Sequence, residues 1–167
     1  MALSEVAFSE DRRYLCLSET MSNQSIGHII TATISSLRHL QCDEIWQITR
    51  VNNDIRGTIW VPELAPSQAL FKLHQSEWKE QPPETWWLAY EKKFNDELKT
   101  DEKLGALRRL WHAIEVGKTI ALVCFCSDPC YCHRRLVGIF LQQHGMTVEE
   151  FDKNTINDGA PQQLALF

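Results

Sequence analysis

The sequence lacks several things that would direct its reading elsewhere. No run approaches the roughly eighteen apolar residues that cross a bilayer. The opening stretch MALSEVAFSEDRRYL has no basic region followed by an apolar one, so no secretory signal is expected and a cytoplasmic location is. Positive charge is also short. Lys and Arg number 17 against 22 Asp and Glu, a formal net charge of −5, which excludes coating of nucleic acid by general phosphate attraction. Internal repeats and low-complexity stretches are absent. What remains is 167 residues, 44% hydrophobic and 23% charged, enough to bury one real core. A single α/β domain is expected over residues 1–151, followed by a flexible tail over 152–167.

Apolar periodicity sets the expected elements. RYLCLS (13–18) reads as a short strand. Ile26, Ile29, Ile30, Ile34, Leu37 and Leu40 recur at helical spacing, which predicts a helix over 23–41. CDEIWQITR (42–50) reads as a strand ending on Arg50, and 51–63 as loop and extended chain. Pro66 and Ser67 open a short helix. The stretch 85–98 predicts a helix with Trp87, Tyr90, Phe94 and Leu98 on one face, and 101–116 another with Leu104, Leu107, Trp111 and Ile114. TIALVCFC (119–126) has the continuous apolar character of a strand buried on both faces. A helix over 133–145, stopped by Gly145, and a last strand at 146–151 complete the series. Strands alternating with helices predict a Rossmann-like α/β fold with a mainly parallel sheet of about four strands covered by helices. Ligands of such sheets lie beyond the carboxyl ends of the strands, where Arg50 and Cys124–Cys126 both fall.

Four of the six cysteines sit within nine residues, at Cys124, Cys126, Cys130 and Cys132, and His133 follows. In a reducing cytosol such clustering points to metal or thiolate chemistry rather than to disulfides. Three readings compete. Cys124, Cys126, Cys130, Cys132 and His133 are ample ligands for a tetrahedral zinc, although closure by a single ten-residue segment is awkward. Alternatively, Cys132 at a helix start beside His133, Arg134 and Arg135 is an activated thiolate, with the free N–H groups of the first helical turn holding a phosphate or carboxylate. The bland alternative makes the cysteines small buried hydrophobes, which suits Cys16 and Cys42. The thiolate reading leads. It gives Cys132 the role of nucleophile or ligand and His133 that of acid/base or ligand. Arg134 and Arg50 are the anion contacts, and Ser67 and Arg135 belong to the substrate pocket.

The apolar strand ending in Cys124, the polar turn and the Cys132-His133-Arg134 step resemble the signature of the domain-of-unknown-function 488 family. The Pro-Glu-Leu-Ala-Pro-Ser stretch (62–67) is similar to that family's Leu-Ala-Pro-Ser box. The aromatic helix with Trp86, Trp87, Tyr90, Phe94 and Leu98 also resembles a family feature, and Arg50 resembles the Arg of an Asp-Val-Arg motif. The sequence departs from the family at Ile48, where an acid is usual, and at the additional Cys126 and Cys130. The resemblance covers roughly residues 44–145 and implies a fold and a pocket more than a reaction.

The last residues, Gln163-Leu164-Ala165-Leu166-Phe167, resemble the peptide by which many bacterial replication and repair proteins dock on the DNA sliding clamp. A tether presenting Leu164, Leu166 and Phe167 to an apolar groove, with Gln163 fixing register, is coherent recognition chemistry. Together these features lead to an expected enzyme acting on a nucleotide or nucleic acid in DNA repair or modification, recruited by the clamp. The alternative is a non-enzymatic clamp- or DNA-associated adaptor holding a structural zinc. His28, His39, His74, His112 and His144 lack partners at ligand spacing. Trp46, Trp60, Trp78 and Trp111 read as packing anchors, and the Glu/Lys run at 91–103 as a solvated helix face. Trp86 and Trp87 cannot share one face, so one of them is expected to line the crevice.

Overall fold

The computed structural model describes residues 26–153. The strand expected at 13–18 and the C-terminal peptide therefore lie outside the described residues. The first described element is β1, Ile29–Thr33, followed by a 3-10 segment, Ile34–His39. This corrects the helix expected over 23–41. Ile29 and Ile30 are both buried but in clusters on opposite faces of the sheet, and Ile26 is largely exposed. A strand covered on both faces followed by a 3-10 turn reproduces helical apolar spacing. The β-branched run Ile-Ile-Thr favours the strand.

After β1 come β2 (Glu44–Gln47) and β3 (Ile59–Trp60), then α1 (Gln68–Leu73), which continues through a π-helical turn at His74–Trp78. The long helices α2 (Pro83–Glu97) and α3 (Asp101–Glu115) lead to β4 (Ile120–Cys124). A 3-10 turn at Pro129–Tyr131, α4 (His133–Gln143) and β5 (Val148–Glu150) follow. All strand pairs are parallel, in the order β3-β2-β4-β1-β5. The fold is thus the expected α/β arrangement; of its five strands, β1 stands where a helix was expected and the two-residue β3 lies in the stretch read as loop and extended chain.

β4 lies at the centre, which explains its uninterrupted apolar run. Ile120, Leu122 and Cys124 face the larger core with Phe94, Leu107, Leu110, Leu136 and Val137 from α2, α3 and α4. Ala121 and Val123 face the smaller one, covered by Ile34, Leu37, Leu40 and Phe151. Helix phases differ from expectation at two places. Leu110, not Trp111, completes the buried stripe of α3, and Trp86 rather than Trp87 is buried beside Tyr90 and Phe94 on α2. Gly145, at φ 87°, ends α4 in a conformation that side chains resist. No described helix is long and apolar enough to cross a membrane.

The chain leaves β2 toward β3 on one side, and leaves β4 through α4 toward β5 on the other. The loops after β2 and β4 therefore diverge and open a crevice between two adjacent strand ends, the place where such sheets bind ligands.

Candidate functional site

Both loops reach that crevice. The Ile48 N–H donates to the Val123 carbonyl at 3.0 Å, which carries the β2 pairing past its last strand residue and sets Thr49, Arg50 and Val51 beside the end of β4. Arg50 Nη1 donates to the Pro66 carbonyl at 2.8 Å. That carbonyl is held in turn by its neighbours. The buried Lys103 ammonium donates to the Glu63 carbonyl at 2.8 Å and to the Ala65 carbonyl. Ser67 caps α1, accepting from Leu70 N–H at 3.1 Å, and donates its own N–H and hydroxyl to Glu97. Glu97 and Lys103 are thus turned inward, two exceptions in the 91–103 run, whose Lys92, Lys93, Asp96, Lys99, Asp101 and Glu102 are exposed as expected. Ser67 supports the wall and does not line the cavity.

The cavity has a volume of about 550 Å³, within the range of small-molecule sites. Its aromatic walls come from Phe71, His74, Trp86, Tyr90, Phe125 and Tyr131, and Thr49, Arg50, Asn53 and Gln75 supply polar groups. The walls are braced by ring contacts. Trp86 stacks on Trp78 at 5.9 Å and meets His74 edge-on at 4.9 Å. Trp87, stacked on Tyr90 at 5.4 Å, stands outside the lining, so the crevice tryptophan of the pair is Trp86. Burial, with Lys79 adding, pushes His74 below the ordinary imidazole range.

The floor is the cysteine segment. Cys124 ends β4, and Asp128 accepts from the Cys130 N–H at 2.8 Å to tie the turn. The chain then folds back through the 3-10 turn so that Cys132 occupies the N-cap of α4. This brings one ligand atom each from Cys124, Cys126, Cys132 and His133 within 4.8 Å of one another. The closure that spacing made awkward is achieved by strand end, turn and helix start together. Cys130 is exposed and lies outside the group. Its carbonyl accepts from Arg135 Nη1 at 3.0 Å, and both residues line a separate, smaller cavity rather than the crevice.

His133 donates from Nε2 to the Ile48 carbonyl at 2.7 Å, which turns Nδ1 toward the Cys132 sulfur at 3.9 Å. Metal-binding histidines are commonly oriented in this way, by a carbonyl on the other nitrogen. Arg134 corrects another expectation. Its side chain is fully buried and points away from the crevice, with Nη2 on Glu150 at 2.7 Å and Nε on both oxygens at 3.2 Å. Nη1 donates to the Cys126 carbonyl at 2.6 Å and to the sulfurs of Cys124 and Cys132 at 3.3 and 3.6 Å. It is a counter-charge for sulfur rather than a contact for an incoming anion. Burial works against this cation, but Glu150 and the cysteines outweigh it and push the guanidinium up.

The Cys124 and Cys132 sulfurs are 3.1 Å apart, and the three thiols titrate together. Hydrogen bonds from Cys126 and Cys132, aided by His133 and Arg134, hold Cys124 far below the ordinary thiol range. Cys126 is pushed up to about 11 by its hydrogen bond to Cys124. Cys132 is pushed up first by burial and then by its two neighbours. The contacts therefore favour the thiolate at Cys124, while burial disfavours it at Cys132, the helix-start cysteine. Of the residues singled out in the sequence, Arg50, Cys124, Cys126 and His133 line the cavity, while Cys132 and Arg134 stand behind it. His74, Tyr90, Asn53 and Tyr131 were missed as a site, and Trp86 is the member of the tryptophan pair that was expected at the crevice. Tyr131, inside the cysteine segment, was the one with a signal.

No curated protein and no solved structure matches the chain. The sequence model described as the active DUF488-N3 subclade matches residues 29–145, a span that holds the whole crevice and every residue of its floor. The chain belongs to the DUF488 family, within its DUF488-N3a branch.

Proposed function

We propose that the protein is a cytosolic enzyme acting on a nucleotide or nucleic-acid substrate in DNA repair or modification, recruited through the sliding clamp. The observation that carries this is the cavity at the divergence of β2 and β4. It offers aromatic walls for a base, Arg50 for one phosphate, and a floor of Cys124, Cys126 and His133. Bases bind proteins chiefly by stacking on such rings, at about 1–3 kcal/mol each. The description of the matched subclade as active agrees with a working site. An acidic chain lacks general affinity for DNA, and a tether ending in Gln163, Leu164, Leu166 and Phe167 supplies effective concentration in its place.

Three thiols and an imidazole are a donor set suited to zinc. Cys124, Cys126 and Cys132 would hold it through sulfur and His133 through Nδ1. Zinc bound there would keep all three thiols deprotonated. The second reading, a clamp- or DNA-associated adaptor with a structural zinc, is favoured by one observation. All four donors come from the protein, as in closed structural sites.

Elemental analysis of protein purified without chelator is expected to find one zinc per chain. Tryptophan fluorescence is expected to fall on addition of a short single-stranded oligonucleotide, and Arg50→Ala should weaken that binding by about tenfold, the loss of one charge-assisted hydrogen bond. Zinc without any oligonucleotide response would leave the adaptor. Deleting residues 163–167 should abolish co-purification with the clamp, and retention of the clamp by the shortened chain would sink the recruitment model.

A further inference from the structure

The three sulfurs of the floor are not equivalent. Cys124 and Cys132 are 1% exposed and face Arg134 Nη1 at 3.3 and 3.6 Å; that nitrogen shares its two N–H groups among these sulfurs and the Cys126 carbonyl. Such a bond stabilises a thiolate and makes its electron pair less available. Cys126 gives Arg134 its carbonyl instead. Among the described residues no N–H or O–H group donates to the Cys126 sulfur; it is the least buried of the three and it lines the cavity. None of the described residues lining that cavity is acidic, so no carboxylate is at hand to draw a proton from water or from a substrate carbon. Displacement at a saturated carbon by sulfur requires no proton transfer at the reacting carbon. The aromatic walls favour a flat ring, and Arg50 suits the single phosphate of one nucleotide unit.

We propose that Cys126 is the acceptor for an alkyl group carried on an oxygen or nitrogen of a damaged nucleobase. This rests on the nucleotide-binding and zinc readings above, in which Cys126 is a sulfur ligand of the metal that faces the cavity. In the transfer the Cys126 thiolate attacks the alkyl carbon and the C–S bond forms as the bond from that carbon to the base breaks. The electron pair stays on the base atom, which takes a proton from water. Nothing is oxidised or reduced. The product thioether is stable, so each chain turns over once. Arg134 keeps Cys124 and Cys132 quiet, and so directs the reaction to one sulfur.

The test uses full-length, zinc-loaded protein and a short single strand of DNA carrying one O-methylated guanine. The expected result is a gain in chain mass equal to one methyl group, mapped by peptide mass spectrometry to Cys126, and its loss in Cys126→Ser. Serine here can also loosen the metal, so the mapping on the unaltered chain carries the assignment. Cys130→Ser should leave the transfer unchanged. In cobalt-substituted protein the sulfur charge-transfer absorption should weaken as the methyl arrives. No methyl gain, or a methyl on the exposed Cys130, overturns the proposal. Transfer from a strand bearing a methyl phosphotriester but not from the methylated base overturns the base assignment. An unmodified strand that fails to quench tryptophan fluorescence would instead sink the nucleotide reading itself.

Discussion

Two cations are buried in the described interior, Lys103 and Arg134, and their surroundings differ in what is left over. Lys103 spends its ammonium on the Glu63 and Ala65 carbonyls, with Glu97 3.8 Å away and the Phe94 ring beneath it at 5.4 Å. Every partner there is fixed protein, and the result is a rigid wall. Arg134 spends half its guanidinium on Glu150 and turns the other half to sulfur. Sulfur can change its charge, bind metal or form a bond. The difference teaches that a buried charge marks function by what it faces, not by its burial.

Breaking each cation separately sharpens the comparison. The largest effect is expected for Arg134→Met. It removes the counter-charge of the cluster and the donor to the Cys126 carbonyl, while exposed Glu150 keeps its bond from Thr31, so unfolding by denaturant should show a loss of about 3 kcal/mol. Metal affinity measured against a competing chelator should also fall about 10–100-fold, as for other outer partners of metal ligands. Lys103→Met is expected to cost about 2 kcal/mol, because two carbonyls lose their donor, while metal content stays at the level of the unaltered protein. Equal metal loss in the two variants would erase the distinction. The smallest effect belongs to an ordinary surface pair. Lys118 donates to Glu44 at 2.6 Å, and this bond, with that from Trp46, holds the Glu44 carboxyl below its usual range. A carboxylate depressed on folding stabilises above its unfolded pKa and loses that contribution as pH falls through the lower, folded value. Glu44→Gln should therefore change stability by about 0.5 kcal/mol or less near neutrality and by nothing in strong acid.

Much of the framework was legible because its signals are local. TIALVCFC announced the central strand, and the helices at 85–98, 101–116 and 133–145 followed from periodicity. The failures have a common physical source. Ile29 and Ile30 mimic a helical face because a central strand buries neighbours on both sides. Trp86 and Trp87 differ by one position, so a shift of one residue exchanges wall and surface. Cys130 has ligand chemistry and ligand spacing, but the 3-10 turn sends it to solvent. Arg134 has the composition of an anion site, but Glu150, sixteen residues on, claims it. His74 and Asn53 acquire meaning through tertiary proximity alone, which no spacing rule contains.

Ile48 occupies the place where an acid is usual in the family, and its side chain is buried and apolar. Its backbone is what matters. One peptide N–H is fastened to Val123 on the central strand and the carbonyl of the same residue holds His133, two positions before Arg50. The group that would feel a phosphate and the group that would steady the sulfur cluster are therefore mounted on one short stiff bar. If Arg50 takes up a phosphate as proposed, the load would fall on the same strand end that sets the imidazole, which would link occupancy of the crevice to the orientation of His133. The His133 ring proton, shared with that carbonyl, is the natural place to listen for it by NMR.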